Sequence, residues 1–244
     1  DDPDDTLVFD QVLRFRGQRV AAVVAESVAE AERALDAIVV EYEELPAVFD
    51  PLASREPGAP LLHGDKGPET RIAAPERNTV AEFHGETGDV ASAIESADAV
   101  VSGVWQTQRV SHVALETHAT RGWLDAEGGL VLRTSSQVPF LVRDELCHIF
   151  GLRPEGVRVF TARVGGGFGG KQELLTEDLV TLAVLATGRA VQYEFSRRDE
   201  FTVAPTRHPM RVAVTLAAAS DGTLTAMSVD QLMDTGAYGN HGIG

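Results

Sequence analysis

Cysteine is almost absent: Cys147 is the only one in 244 residues. That excludes a disulfide within the chain and any all-cysteine metal or iron–sulfur site built from it. Long apolar runs are missing, and no stretch approaches the roughly 20 residues of a membrane span. No signal-peptide pattern is present. Runs of Lys or Arg are also lacking, and 21 basic residues face 37 acidic ones, a net charge of −16. Phosphate neutralisation drives nucleic-acid binding, so no nucleic-acid partner is expected, and no acidic membrane surface either. A soluble, cytoplasmic protein is the expectation. What the chain does have is 43% hydrophobic residues, enough for a sizeable core in one large domain or two small ones.

Glycine is concentrated rather than scarce. Residues 163–172 read RVGGGFGGKQ, with five glycines in the six positions 165–170. Glycine adds no packing and costs chain entropy, so such a run serves backbone freedom and close approach to a ligand. Val157–Ala162 before it reads as a strand. After it, Leu174, Leu175, Asp178, Leu179, Leu182, Ala183 and Leu185 recur at helical spacing, closed by Gly188. Strand, glycine loop and helix present bare N–H groups and a helix N-terminus to an anion, such as a phosphate or oxo group. Two nucleotide readings are open. Gly165-x-Gly167-x-x-Gly170 satisfies the dinucleotide fingerprint of an NAD-type dehydrogenase, with Glu194 about twenty residues on as ribose partner. Gly165 to Lys171 also approaches a P-loop, but Gln172 stands where magnesium needs Ser or Thr. Neither reading requires Phe168, which a glycine turn either offers to a ligand pocket or plugs into the core beneath.

Elsewhere helices and strands mix. Asp1–Asp5 reads as loop, and Gln18–Ala25 and Val39–Tyr42 as strands. Between them Ser27 and Glu30 fit a capping box, opening a helix with Ala29, Ala31, Leu35 and Ile38 inward. Residues 50–77, rich in Pro, Gly and charge, read as a surface linker in which His63 is solvent-exposed. Thr79–His84 reads as a strand, Val90–Ala97 as a helix capped by Asp89, and Ala99–Gln108 as a strand. Arg121–Leu124 and Leu130–Ser135 form a hairpin, followed by helix Pro139–Phe150 with Leu141, Leu146 and Ile149 inward. A strand at Ala190–Phe195, a polar segment at Ser196–Pro209 and a hairpin of Met210–Ala219 with Leu224–Met233 complete the pattern. This is an α+β or mixed α/β class. Gly236–Gly244 is a second glycine-rich loop, and both ends read as cut from a longer chain.

The stretch Val164–Lys171 resembles the VGGGFGGK signature of the molybdenum hydroxylases, the family of xanthine dehydrogenases and aldehyde oxidases. Ser135-Ser136-Gln137 before a helix resembles the family's S-T-Q segment. Leu115-Glu116-Thr117-His118 is similar to its E-P-H segment, with Thr117 in place of proline. Arg207-His208-Pro209 matches an R-H-P element, and Asp234–Tyr238 a family strand end. Gln18–Pro46 resembles the second half of the hammerhead domain that precedes the molybdenum-binding domain. The resemblance spans essentially the whole chain in one order.

It implies an α+β fold made of the C-terminal half of an α/β hammerhead domain and the first part of a molybdopterin-binding domain. The expected divisions are 1–52 for the hammerhead portion, 53–77 for the linker and 78–244 for the incomplete cofactor domain. Cofactor contacts fall to Gln137, near the molybdenum oxo ligand, and to Gly166, Gly167, Phe168 and Gly169, with the amides of Gly167, Phe168 and Gly169 facing the cofactor. Phe168 and Gln172 would meet the substrate. Purine-oxidising members carry a glutamate at the Gln172 position and aldehyde oxidases an apolar residue, so the polar Gln172 leans towards a purine or related N-heterocycle. The Gln172-Glu173 pair and the 115–118 variant resemble bacterial xanthine dehydrogenase molybdenum subunits in particular. The implied chemistry is hydroxylation with water-derived oxygen, electrons leaving through the pterin to [2Fe-2S] and FAD sites on other domains or subunits. The pterin is expected in its cytosine dinucleotide form, and the assembly as an oligomer. An aldehyde-oxidising member is the alternative within the family. The catalytic glutamate is expected downstream of Gly244, so Glu116, Glu173 and Glu177 are not assigned that role, and this stretch alone is expected to be inactive.

Overall fold

A computed structural model of the chain describes residues 8–67, 70 and 72–239. The loop read at Asp1–Asp5 and residues 240–244 of the glycine-rich tail lie outside the described residues. In chain order the helices are α1 (Val28–Asp36), α2 (Val90–Glu95), α3 (Pro139–Phe150), α4 (Glu177–Thr187) and α5 (Arg197–Thr202). The strands are β1 (Ala99–Gln106), β2 (Val110–Ser111), β3 (Ala119–Leu124), β4 (Leu130–Thr134), β5 (Val157–Phe160), β6 (Val191–Glu194), β7 (Thr206–Arg207), β8 (Met210–Ala218) and β9 (Leu224–Met233). The described residues gather into two compact units, one holding 8–45 and 111–206, the other 46–110 and 207–239. No helix among them is long and apolar enough to cross a membrane.

The first unit is built on a four-stranded sheet in the order β5-β4-β3-β6. β3 and β4 pair antiparallel because Asp125 closes their turn, its carboxylate accepting from the Glu127 and Gly129 N–H groups. β5 runs parallel to β4, with α3 as the crossover between them. α3 begins with Pro139 and stops at Gly151, whose φ of 62° satisfies the left-handed position after a helix. Val142, Leu146 and Cys147 of α3, Val180 and Val184 of α4, and Leu130, Leu132 and Val157 of the sheet form one buried cluster. Burying each such aliphatic side chain is worth about 1.5–3 kcal/mol. The absent side chain of Gly122 in β3 lets α4 come close: a Cβ there would lie 2.8 Å from Val180 Cγ1.

The second unit carries an antiparallel sheet in the order β1-β8-β9, with α2 packed against β8 and β9. Asp89 caps α2 by accepting from the Ser92 N–H, as its position before the helix predicts. Asn78, at φ 50°, ties the linker region together: its side chain accepts from Leu62 N and donates to the carbonyls of Ser54 and Pro60.

Several expectations fail for identifiable reasons. Gln18–Ala25, Val39–Tyr42 and Thr79–His84 form no strands, because among the described residues none finds a ladder partner along its length. Arg19 anchors its segment instead through its side chain, to the Asp178 carboxylate and the Leu175 carbonyl. Ser27 caps α1, but Glu30 reaches the Ser27 hydroxyl and not its backbone, so the box is half made; α1 has no buried residue and ends before Ile38. The inward face of α3 centres on Val142 and Leu146, leaving Leu141 outward, and α4 turns Leu182 and Leu185 outward in favour of Val180, Thr181 and Val184. His63 is half-buried, its Nε2 2.6 Å from the Ala237 carbonyl and its ring edge-on to Tyr238, so it is not a solvated loop residue.

Candidate functional site

The glycine loop follows β5 and precedes α4 within the first unit, and its turn explains its composition. Gly170 N–H donates to the Gly167 carbonyl at 2.8 Å, closing a turn whose central residues, Phe168 and Gly169, have φ of 54° and 89°. Positive φ at both positions is the type I′ pattern, easy for glycine and costly for a bulky residue, by about 1–3 kcal/mol. Phe168 nevertheless occupies it and leaves its side chain 63% exposed, so it does not plug the core.

Gln137, just before α3, closes the loop from the other side. Its Oε1 accepts from the N–H groups of Gly169 (3.1 Å) and Lys171 (3.2 Å), while its own N–H donates to the Lys171 carbonyl at 2.8 Å. Both partners of Oε1 are backbone donors, which fixes the amide orientation and turns Nε2 away from them. Nε2 makes no hydrogen bond among the described residues, and neither do the N–H groups of Gly166 and Gly167. Gly167 is close-packed against this side chain: a Cβ would lie 2.3 Å from Gln137 Oε1. Gly169, by contrast, spends its N–H on Gln137, so the structure brings Gln137, Gly166, Gly167 and Phe168 together and uses Gly169 to hold the turn.

The lysine of the loop is internal. Lys171 is 1% exposed, with Nζ 3.0 Å from Glu116 Oε2. The same oxygen accepts from Gly165 N–H at 2.6 Å, so Glu116 fastens both ends of the loop. Partial burial pushes the Glu116 carboxyl up, but the hydrogen bonds from Gly165 and Lys171 and the lysine charge outweigh it and hold its pKa below the usual range. His118 is buried beside them, with Nε2 2.9 Å from the Gly170 carbonyl and Nδ1 2.8 Å from Glu200 Oε1. A small cavity under the loop is lined by His112, His118, Gly167, Gly170, Lys171 and Glu200.

These positions argue against both nucleotide readings. In a P-loop the lysine reaches phosphate; here Lys171 is buried in an ion pair. In a dinucleotide fold the loop opens its helix directly and the ribose partner ends the neighbouring strand. Here α4 starts seven residues after Gly170, and the Glu177 carboxylate occupies its N-terminus, accepting from Leu175 and Thr176 N–H at 3.1 Å each. Glu194 lies on β6, at the sheet edge opposite β5. Gln172 is half-buried after the loop and its carboxamide makes no hydrogen bond among the described residues.

The residues that sequence reasoning missed lie on α5. Arg197 donates from Nη1 to the Ala114 carbonyl (2.8 Å) and from Nη2 to the Leu115 carbonyl (2.7 Å), and Glu200 accepts from the His118 N–H. A complete capping box of Ser196 and Asp199 builds this helix. The S-x-x-D spacing in the stretch read only as polar was the available signal.

The turn thus leaves the N–H groups of Gly166 and Gly167 unpaired among the described residues, is backed by the Gln137 carboxamide and is fastened by the Lys171–Glu116 ion pair. Comparison with known proteins gives the family. Residues 72–244 match the molybdopterin cofactor-binding domain, and residues 1–46 match the aldehyde oxidase and xanthine dehydrogenase a/b hammerhead domain. The chain belongs to this family, that of the molybdopterin-binding subunits of xanthine dehydrogenases and aldehyde oxidases. It is 36% identical over 236 residues to the nicotinate dehydrogenase large molybdopterin subunit of Eubacterium barkeri, covering 97% of this chain and 53% of that protein. It is 32% identical over 243 residues to the xanthine dehydrogenase molybdenum-binding subunit of Escherichia coli O157:H7, covering 99% of this chain and 31% of that one. The structure of quinoline 2-oxidoreductase from Pseudomonas putida 86 superposes with a TM-score of 0.79 at 32% identity, over 92% of this chain and 28% of that chain. The chain thus spans between 31% and 53% of the length of these two curated relatives.

Proposed function

We propose that this chain is the part of a molybdenum hydroxylase that cradles molybdopterin, and that the complete protein hydroxylates a purine-like N-heterocycle. The observation that carries the reading is the arrangement at Gln137: Oε1 committed to the loop, Nε2 left as a donor, and the bare N–H groups of Gly166 and Gly167 beside it. Neutral donors of this kind suit an oxo-bearing centre, since they bind it without adding charge. Bound there, the cofactor supplies a metal centre that accepts two electrons and through which water-derived oxygen reaches the substrate.

Gln137, Gly166 and Gly167 hold the cofactor by N–H donation in this reading, and Gly169 contributes by keeping Gln137 in place. Phe168, exposed and fixed by its turn, walls the approach of a flat ring. Gln172 offers a substrate heteroatom a hydrogen bond without a negative charge. Residues 1–52 are the hammerhead portion, 53–77 the linker and 78–244 the cofactor domain. The general base, the [2Fe-2S] and FAD sites and any oligomer contacts belong to the rest of the protein or its partners, and the pterin is taken as its cytosine dinucleotide. The expected compartment is the cytoplasm.

The test is molybdenum and pterin nucleotide per full-length protein, purified from a host that makes the cofactor. About one molybdenum per protein is the expected result, with Gln137→Ala losing most of it. A well-folded, molybdenum-free protein would overturn the reading. Gln172→Val should then shift kcat/KM from N-heterocycles towards aldehydes, and an unchanged preference would remove Gln172 from the substrate site.

A further inference from the structure

Segment 114–118 lies between α5 and the glycine loop and is gripped at both ends by α5. Arg197 takes the carbonyls of Ala114 and Leu115, and Glu200 takes the His118 N–H and faces its Nδ1. From the middle of the segment Glu116 holds Gly165 and Lys171, and from its end His118 holds the Gly170 carbonyl. The segment does not rest in this shape unaided. Val113 just before it has φ 49°, a left-handed conformation that a β-branched residue adopts only when its surroundings impose it. Neither hydrogen bond of Arg197 is to the loop.

We propose that Arg197 is a positioning residue for the glycine loop, acting through segment 114–118. A guanidinium fork spans two successive carbonyls at once, and an ammonium holds one. Without the fork the segment relaxes at Val113, Glu116 draws back from Gly165, and the turn that carries Gly166 and Gly167 loosens. The consequence for cofactor retention rests on the proposed cradle; the effect on the loop does not.

The experiment is hydrogen exchange on the full-length protein made without cofactor, comparing wild type, Arg197→Ala and Arg197→Lys. Losing two charge-assisted hydrogen bonds should speed exchange in 114–118 and 165–171 by about tenfold or more, with Lys restoring part of the protection. Exchange in β4 and α3 should stay unchanged. Loop exchange equal to wild type in Arg197→Ala would overturn the proposal, as would a uniform rise across the unit, which marks a merely structural role. In cofactor-loaded protein, Arg197→Ala should lower molybdenum occupancy and Arg197→Lys should recover some of it. Molybdenum absent from the wild type would sink the cradle while leaving the exchange result to judge Arg197.

Discussion

Placing a methyl group on Gly167 tests the loop directly. The new Cβ would fall 2.3 Å from Gln137 Oε1, 2.5 Å from its Cδ and 2.8 Å from its Cγ, so the carboxamide has to leave. Its departure breaks the bonds to Gly169 and Lys171 N–H, the second of them part-buried. Two lost hydrogen bonds at about 1 kcal/mol each, with a further penalty for a donor left dry, give about 2–4 kcal/mol for Gly167→Ala. Gln137→Ala removes the same two bonds without the clash and should cost about 2 kcal/mol. The double variant has nothing left to collide with and should cost little more than Gln137→Ala, so the two changes should be non-additive by nearly the whole Gly167→Ala cost, about 2–4 kcal/mol. Urea unfolding in a Trp105→Phe background, followed by Trp123 fluorescence in β3, reports this unit. Additive costs would refute the claim that Gly167 is glycine because Gln137 fills its space.

Gly122→Ala should destabilise the same unit by about 1–3 kcal/mol through overpacking, since its Cβ meets Val180 at 2.8 Å and Val184 at 3.2 Å; a change within 0.5 kcal/mol in urea midpoint analysis would contradict the packing. Glu116 has a folded pKa below the ordinary 4.5, so its contribution is complete above that value and is lost as pH falls through the folded pKa. Wild-type stability should therefore drop more steeply than that of Glu116→Gln on acidification below about pH 4.5, and parallel curves would refute the loop-fastening role. Burial pushes the Cys147 thiol up, outweighing the nearby Arg143 charge, so a disulfide reagent should modify it only at the rate of local opening; fast stoichiometric labelling in the native state would contradict its place in the core.

What the sequence disclosed follows the physics of each signal. α3 was readable to the residue because proline and glycine mark its ends chemically, and the two hairpins because their turns carry Asp and Gly at the required places. Its inward face was not, since an almost wholly apolar helix has no stripe to orient it. Strands at 18–25 and 39–42 were misread because β propensity states what a residue tolerates and a ladder needs a partner. Within the candidate site, the glycines and Gln137 stand out in the sequence through their resemblance to a family. The internal roles of Glu116, Lys171, Arg197 and Glu200 do not, because a charged residue reads as solvated surface until the fold brings its partners, 55 to 83 residues distant, alongside.

That distance also sets an order of events. The β3–β4 hairpin closes over a handful of residues, whereas the grip of Arg197 on Ala114 spans 83. Loop-closure entropy favours the short pairing first and leaves the long one to condense late in folding. While the ribosome is still making residues before 197, the chain already contains the glycine turn and the Glu116 and His118 that bond to it, but not the α5 side chains that brace segment 114–118 from behind. The bracing of segment 114–118 is therefore complete only after α5 has been synthesised and docked, so the last support of the glycine turn is also the last to arrive.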